Sequence, residues 1–281
     1  MIDAENGNIS IQHACKFVRV SRSGFYSYRN RSQCLREQAN EILLQRIREI
    51  HTASRKTYGR IRVHAELCAQ GVNYSEGRVG RLMRENGIRA KQKRRFKATT
   101  QSKHNYPVAP NILNREFKVS EPNQVWVADI TYISTDEGWM YLATILDLYS
   151  RMLVGWSMDK NMTRQLTMDA LTMAYWRRKP NSGLLHHSDR GSQYASHDYQ
   201  KLLSSYGMSC SMSGKGECWD NAVMESFYHT LKTELTLEKR YETRTEAKAH
   251  IFEYIEVFYN RQRRHSFLGY ATPVEFEQKV S

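Results

Sequence analysis

Cysteine is scarce in this chain of 281 residues and poorly placed for metal or redox chemistry. Cys15, Cys34, Cys68, Cys210 and Cys218 are scattered, odd in number and never form a CxxC pair. That pattern supports neither a four-thiolate zinc site nor a disulfide framework, and a reducing compartment is expected. Long apolar runs are also missing. The best stretch, Met140 to Leu148, is broken by Asp147, so no membrane span is expected. The opening residues MIDAENGNIS are polar and acidic and do not resemble a signal peptide, which leaves the cytoplasm as the expected location. Acidic residues are few beside basic ones, 29 against 42, giving a formal net charge of +13.

The charge is segregated. Residues 1–98 carry 21 Lys+Arg and 8 Asp+Glu, whereas residues 99–281 carry 21 of each. The whole excess therefore lies in the first third, as expected for a polyanion-binding module joined to a part with a different task. Basicity as a plain solubility device is the competing reading, and it does not account for the segregation.

Four regions follow. Residues 1–35 contain two short helical segments, IQHACKFV and SRSGFYSYR, with Ser21 able to cap the second, in the manner of a helix-turn-helix. Residues 36–96 show helical spacing at Ile42, Leu43, Ile47 and Ile50, again at Ile61, Ala65 and Leu67, and again at Val79, Leu82 and Met83, where Ser75 is the expected cap. Arg78, Arg81 and Arg84 line the last helix of this three-helix unit, and the run KQKRRFK (Lys91 to Lys97) follows it. Arg22, Arg78, Arg81, Arg84, Lys91, Lys93, Arg94 and Arg95 are candidate DNA contacts; five positive charges in seven residues repel one another unless an anion is near. Residues 97–122 hold Pro107, Pro110 and Pro122 without periodicity and read as a linker.

The region 123–281 alternates differently. VWVADITYI, Tyr141–Leu148 and Met152–Met158 read as three consecutive strands. A helix from Thr163 to Arg178, a strand over Leu184–Ser188, a helix from His197 to Tyr206 and a strand over Met208–Met212 come next, and then helices near Asn221–Leu235 and Thr245–Arg264. The order predicts an α/β fold with a mixed five-stranded sheet, antiparallel at its start and parallel afterwards, with helices on both faces.

Three acidic residues stand out. Asp129 sits inside an apolar strand, where a lone carboxylate requires a cation or strong donors. Asp189 ends the strand LLHHSD, a usual place for ligands in such sheets. Glu225 falls beside the apolar stripe Met224, Phe227, Tyr228, Leu231 and Leu235 of its helix, on the same flank as Lys232. Taken singly, each has a bland reading as an ion pair, a turn residue or a surface glutamate. Together they form an all-oxygen donor set, the kind that takes Mg²⁺ or Mn²⁺. Two such ions about 4 Å apart suit phosphodiester chemistry. Trp126, Tyr132 and Trp156 are expected to pack on the sheet. His186 and His187 are expected as sheet residues, Asp220 as a helix N-cap, and Arg261, Arg263 and Arg264 either as DNA contacts or as partners of a helix C-terminus.

WVADITYI, HHSDRGSQY and CWDNAVMESFYHTLKTEL resemble the three signature blocks of an integrase-core DDE transposase, the second-frame product of a bacterial insertion-sequence family. Thirty-five residues separate Asp189 from Glu225, and Lys232 follows Glu225 by seven. YNRQRRHSFLGYATPVEFE resembles the family's closing segment, and SRSGFYSYR and YGRIRVHAEL its N-terminal modules. The resemblance implies a ribonuclease H-like fold similar to retroviral integrase, with two metal ions held by Asp129, Asp189 and Glu225 and Lys232 on a DNA phosphate. It implies metal-dependent DNA cleavage at element ends and strand transfer into target DNA. It also implies a homo-oligomer on the element's terminal repeats, an upstream-frame helix-turn-helix partner or fusion, and nucleoid association when DNA is bound. A repressor retaining a dead domain, or a simple nuclease of the same fold, are the alternatives.

Overall fold

A computed structural model describes residues 10–91, 106–236 and 239–279. Lys93, Arg94 and Arg95 lie outside the described residues. Short helices α1 (Ile11–Phe17) and α2 (Arg22–Arg29) come first, and Ser21 caps α2 by accepting from Gly24 N at 3.0 Å. Helices α3 (Leu35–Ala53), α4 (Arg60–Ala69) and α5 (Glu76–Glu85) then form a three-helix unit around Leu43, Ile47, Val63, Leu67, Val79 and Leu82. Ser75 caps α5. Ile42 and Ile61 fall outside this core and are exposed, since Val63 and Leu67 face inward in α4.

The sheet comprises β1 (Val125–Thr135), β2 (Gly138–Asp147), β3 (Leu153–Asp159), β4 (Leu185–Ser188) and β5 (Ser209–Met212), in the order β3-β2-β1-β4-β5. β1–β2 and β2–β3 are antiparallel; β1–β4 and β4–β5 are parallel. This is the expected mixed sheet. One face carries α6 (Arg164–Arg178), α7 (Ser192–Ala195) and α8 (His197–Ser205), packed on Trp126, Ala128, Ile145 and Val154. The other carries α9 (Ala222–Leu231) and α10 (Arg244–Glu253), packed on Val125, Val127, Leu142 and Leu146. α9 runs on into a π-helical turn, Lys232–Thr236, and α10 into another, Tyr254–Tyr259. A short α11 (Pro273–Gln278) follows. Helix α6 lies so close to β3 that a Cβ on Gly155 would stand 2.3 Å from the Ala170 carbonyl oxygen, so only glycine fits.

Both sheet edges are closed by segments other than strands, which removes the hazard of an open edge. Asn260 bonds both the N–H and the carbonyl of Leu153 at 3.0 Å on the β3 side. On the β5 side, Ile112 N and Leu113 N donate to Ser211 Oγ at 2.9 and 3.2 Å, and Leu113 is buried in the core. The later part of the stretch expected as a linker is therefore docked on the sheet.

The three-helix unit is fastened to the C-terminal segment. Tyr58 Oη donates to the Gln262 carbonyl and accepts from Arg264 N, and Arg264 pairs with Glu66 at 2.5 Å. Arg55 pairs with Glu253 and lies 4.9 Å from the Phe258 ring centroid. No helix among the described residues is long and apolar enough to cross a membrane.

Candidate active site

Sheet register places the first two acids. In the parallel β1–β4 ladder the last pair is Val127 with His187. Asp129 and Asp189 each lie two residues beyond that pair; strand alternation puts Asp129 on the Val127 face, which carries α9, and Asp189 stands just past the end of the neighbouring strand. β4 ends at Ser188, and Asp189 opens the turn into α7, where its Oδ1 accepts from Gly191 N at 2.9 Å.

Helix α9 supplies the third acid and is tied to β1 by two side chains. Asn221 donates to the Ala128 carbonyl at 3.1 Å, one residue past the last pair of β1 with β4. Two helical turns further on, Tyr228 donates to the Asp129 carbonyl. Glu225, three residues before Tyr228, is exposed on the same side of α9. Lys232 stands at the start of the π-helical turn, its Nζ 4.7 Å from the Tyr132 ring centroid.

The electrostatics is that of a cluster short of positive charge. Burial pushes the Asp129 carboxyl well above the usual range, and the charges of Asp189 and Glu225 push it further. A hydrogen bond from Ile130 N at 2.7 Å and the charge of Lys232 oppose this. Burial raises Glu225 and lowers Lys232, with Asp129 pulling Lys232 back up. Asp147 provides a contrast one strand away. It is fully buried and burial raises its carboxyl too, but it accepts from Asn123 N, Tyr149 N and Trp126 Nε1 at 2.7, 2.8 and 3.2 Å, and the Asn123 and Tyr149 bonds and the Arg178 charge oppose that rise.

Among the described residues, no three His, Cys, Asp or Glu side chains stand close enough together to hold a metal ion as placed. The two aspartates each lie two residues past the last ladder pair, and Glu225 lies within electrostatic reach of Asp129 rather than beside it. Glu225 is exposed on a helix surface, so a change of side-chain rotamer alone alters its reach. Oxygen donors dominate the surroundings. The Tyr194 phenol is buried without a hydrogen-bond partner and feels the charges of both Asp129 and Asp189. The buried Asn221 Oδ1 likewise has no partner. An all-oxygen set with orphaned oxygens fits a hard divalent cation.

Other expected residues fall elsewhere. Arg22 is exposed in the first turn of α2. Arg78 and Arg81 line, with Arg36, Ser75 and Gly77, an open cleft of about 520 Å³ at the start of α5, and Arg84 is exposed in the last turn of that helix. Lys91 donates its backbone N–H to the Lys56 carbonyl. Trp126 is fully buried, but Tyr132 is 47% exposed and so is not a core residue. His186 and His187 are buried sheet residues, held down to about 3 and about 4 mainly by burial. Asp220 is not the N-cap of α9, a position taken by Asn221. Its carboxylate accepts from Gly214 N, Asn111 Nδ2 and Arg115 Nε at 2.7, 2.8 and 2.7 Å, pinning the segment before β1 to the loop before α9. Arg263 forms a buried pair with Glu234 at 2.8 Å, and Arg264 pairs with Glu66, so both bind protein rather than DNA. Tyr228 reads in the sequence only as part of an apolar stripe, and nothing in SQYAS marks Tyr194; that one phenol bonds the Asp129 main chain and the other lies near both aspartates depends on folding.

Comparison with known proteins fixes the family. Residues 119–218 and 225–280 match the integrase core domain, and residues 24–96 match an HTH-like domain. The chain is 43% identical over 284 residues to the transposase InsF of insertion sequence IS3A from Escherichia coli K12, covering 99% of this chain and 97% of that protein. It belongs to the IS3-family transposases. A second relative, the 31 kDa protein of insertion element IS600 from Shigella sonnei, is 49% identical and covers 94% of this chain and 97% of that protein. Among solved structures, the transposase is similar to a chain of the simian T-cell lymphotropic virus intasome (14% identity, TM-score 0.48, 76% of this chain and 70% of that one). It is also similar to the HTLV-2 integrase catalytic core solved with magnesium (18% identity, TM-score 0.44, 56% and 97%).

Proposed function

We propose that this transposase cleaves DNA strands at the ends of its insertion sequence and joins the freed 3′ end to target DNA, with Asp129, Asp189 and Glu225 as its catalytic acids. The single observation that carries this reading is that Asp129 and Asp189 each follow by two residues the last β1–β4 ladder pair, Val127 with His187, next to the helix that bears Glu225. Two Mg²⁺ or Mn²⁺ ions held there would neutralise the carboxylates and supply Lewis-acid activation of the phosphodiester.

The protein's own part is positioning. Tyr228 and Asn221 hold α9 against β1, so the helix-borne acid approaches the sheet-borne pair at a fixed height. Lys232, partly desolvated and cationic, neutralises a DNA phosphate beside the acids. Arg22, Arg78, Arg81 and Arg84, with Lys91 and the Lys93–Arg95 run, supply backbone contacts that hold the duplex. The substrate is the terminal inverted repeats of the element together with target DNA, and pairing of two ends requires more than one copy of the chain. An upstream-frame helix-turn-helix partner fits a chain whose own helical modules are small.

The test is strand cleavage and joining on terminal-repeat DNA with Mn²⁺ or Mg²⁺. Asp129→Ala, Asp189→Ala and Glu225→Ala are each expected to abolish product while leaving DNA binding in place. Undiminished product from any one of the three refutes the assignment of that acid.

A further inference from the structure

A second surface adjoins the acidic site and has a different chemistry. Tyr132 and Trp139 are 47% and 51% exposed, and their rings meet edge to face with centroids 5.0 Å apart. Two large aromatic side chains left half in water on a sheet are costly unless something covers them. They sit on the β1–β2 hairpin near its tip, where Ser134 pairs with Trp139 and Tyr132 with Tyr141.

The hairpin is braced, so its rings form a platform. Asp136 N donates to the Tyr241 carbonyl at 2.9 Å, and Thr135 bridges Tyr241. Arg244 donates to the carbonyls of Glu137 and Trp139 at 2.5 and 3.1 Å, and Arg240 pairs with Asp136 at 2.8 Å. A tip tied down by three separate residues presents its rings in one orientation.

Position names the occupant. Strand alternation puts Asp129 and Tyr132 on opposite faces of β1. Past Val127, however, β1 has no strand beside it on the β4 side among the described residues, so a chain can cross that edge. Lys232 already does so: its ammonium lies 4.7 Å from the Tyr132 centroid and is attracted by the Asp129 carboxylate. A ligand that runs from the acids over this edge to the rings meets carboxylates, then a cation, then two aromatic faces. That sequence matches a nucleic-acid strand with its scissile phosphate at the acids, the next phosphate at the ammonium and an unpaired base on the rings.

We infer that Tyr132 and Trp139 are a stacking site for an unpaired nucleobase of the DNA strand engaged at the acidic site, with Lys232 holding the intervening phosphate. The inference rests on the function proposed above and adds what that reading lacks, a reason for the terminal base pairs to stay open. Every base has a π face, so the site is tolerant of sequence.

The experiment uses the full chain, without divalent metal, and a duplex whose last three base pairs are mismatched, carrying 2-aminopurine at the terminal unpaired nucleotide. Binding of the unaltered protein is expected to quench the fluorophore severalfold. The double variant Tyr132→Ala, Trp139→Ala is expected to lose that quench and to bind a short single strand about tenfold more weakly. Tyr132→Phe keeps a ring and is expected to retain both. Both truncated residues are exposed, and circular dichroism establishes that the variant is folded. Quenching unchanged in the double variant overturns the inference. Light scattering that shows loss of self-association, with quenching unchanged, overturns it too and assigns the rings to a contact between copies of the chain. Asp189→Asn separates the two readings: it is expected to quench fully without metal and to make no product once Mn²⁺ is added, and product from that variant counts against the acidic site alone.

Discussion

The phenol of Tyr228 donates to the main-chain carbonyl of Asp129 and accepts, at 2.8 Å, from the hydroxyl of Thr144, the residue paired with Asp129 across β1 and β2. One buried side chain thus joins the helix of Glu225 to the strand that carries Asp129 and to its neighbour, which carries Thr144. Replacing Tyr228 by Phe removes both bonds and leaves the ring packed. Stability is expected to fall by about 1 kcal/mol in urea unfolding. Cleavage is expected to slow about tenfold, the equivalent of ~1.4 kcal/mol in the barrier, with DNA affinity unchanged. Equal activity of the variant and the parent would remove Tyr228 from the site.

The charge cluster has a cost that can be measured without DNA. The folded state raises the Asp129 pKa above its unfolded value, so the native protein binds more protons than the unfolded chain between those two values. Stability contributed by this group is present at low pH and is lost as pH rises through that window. Asp129→Asn, which stays neutral, is therefore expected to melt higher than the parent at pH 7 in the absence of metal. Mg²⁺ is expected to raise the melting temperature of the parent more than that of the variant. Scanning calorimetry with and without Mg²⁺ decides it, and a lower melting temperature for the metal-free variant counts against a strained carboxylate.

Two buried histidines act in the opposite sense. His186 is held at about 3 and His187 at about 4, both below the ordinary value near 6.5, by burial in the sheet. Depressed folded pKa values mean that the unfolded chain takes up protons first. Stability is expected to fall as pH drops below about 6.5, by at most ~1.4 kcal/mol per pH unit for each histidine. Replacing His187 by Gln, which can still bond Ser211, is expected to flatten that slope in denaturant titrations at pH 7, 6 and 5.

Gly155 and the Arg263–Glu234 pair test the scaffold. Gly155→Ala drives a methyl into the Ala170 carbonyl and the Ala174 Cβ, and a loss of more than ~2 kcal/mol, or failure to fold, is expected. Glu234→Gln leaves the buried Arg263 guanidinium without its countercharge, a loss of about 3–5 kcal/mol. Glu234 lies in the same π-helical turn as Lys232, and Tyr254 also donates to it at 2.8 Å. Replacing both partners by Met is expected to recover much of the stability, as followed by thermal unfolding.

Much of this fold is legible in the sequence because its strands and helices carry strong, single-period patterns. The three leading strands and Thr163–Arg178 fall within a few residues of their expected bounds, and the mixed sheet follows from their order. Asp129 and Asp189 are legible because a charged residue inside or just past an apolar run has few physical excuses. What was illegible depends on contacts distant in the chain. Asp220 reads as a cap locally, but its partners are Asn111 and Arg115, more than a hundred residues away. Arg263 and Arg264 look like a DNA-binding run, and only folding brings them to Glu234 and Glu66. Tyr132 reads as packing because its strand is apolar, yet it is half-exposed near the hairpin tip.

Because the β1–β4 ladder fixes Val127 against His187, two residues before Asp129 and Asp189, the length of chain between the strands does not enter their placement. Residues added to the stretch Asn181–Gly183, outside the ladder, leave both carboxylates on one face. A single residue deleted between His187 and Asp189 rotates the second acid to the far side of the sheet while every other element keeps its place. The site is thus indifferent to insertions measured in whole turns of loop and intolerant of one measured in a single step of strand.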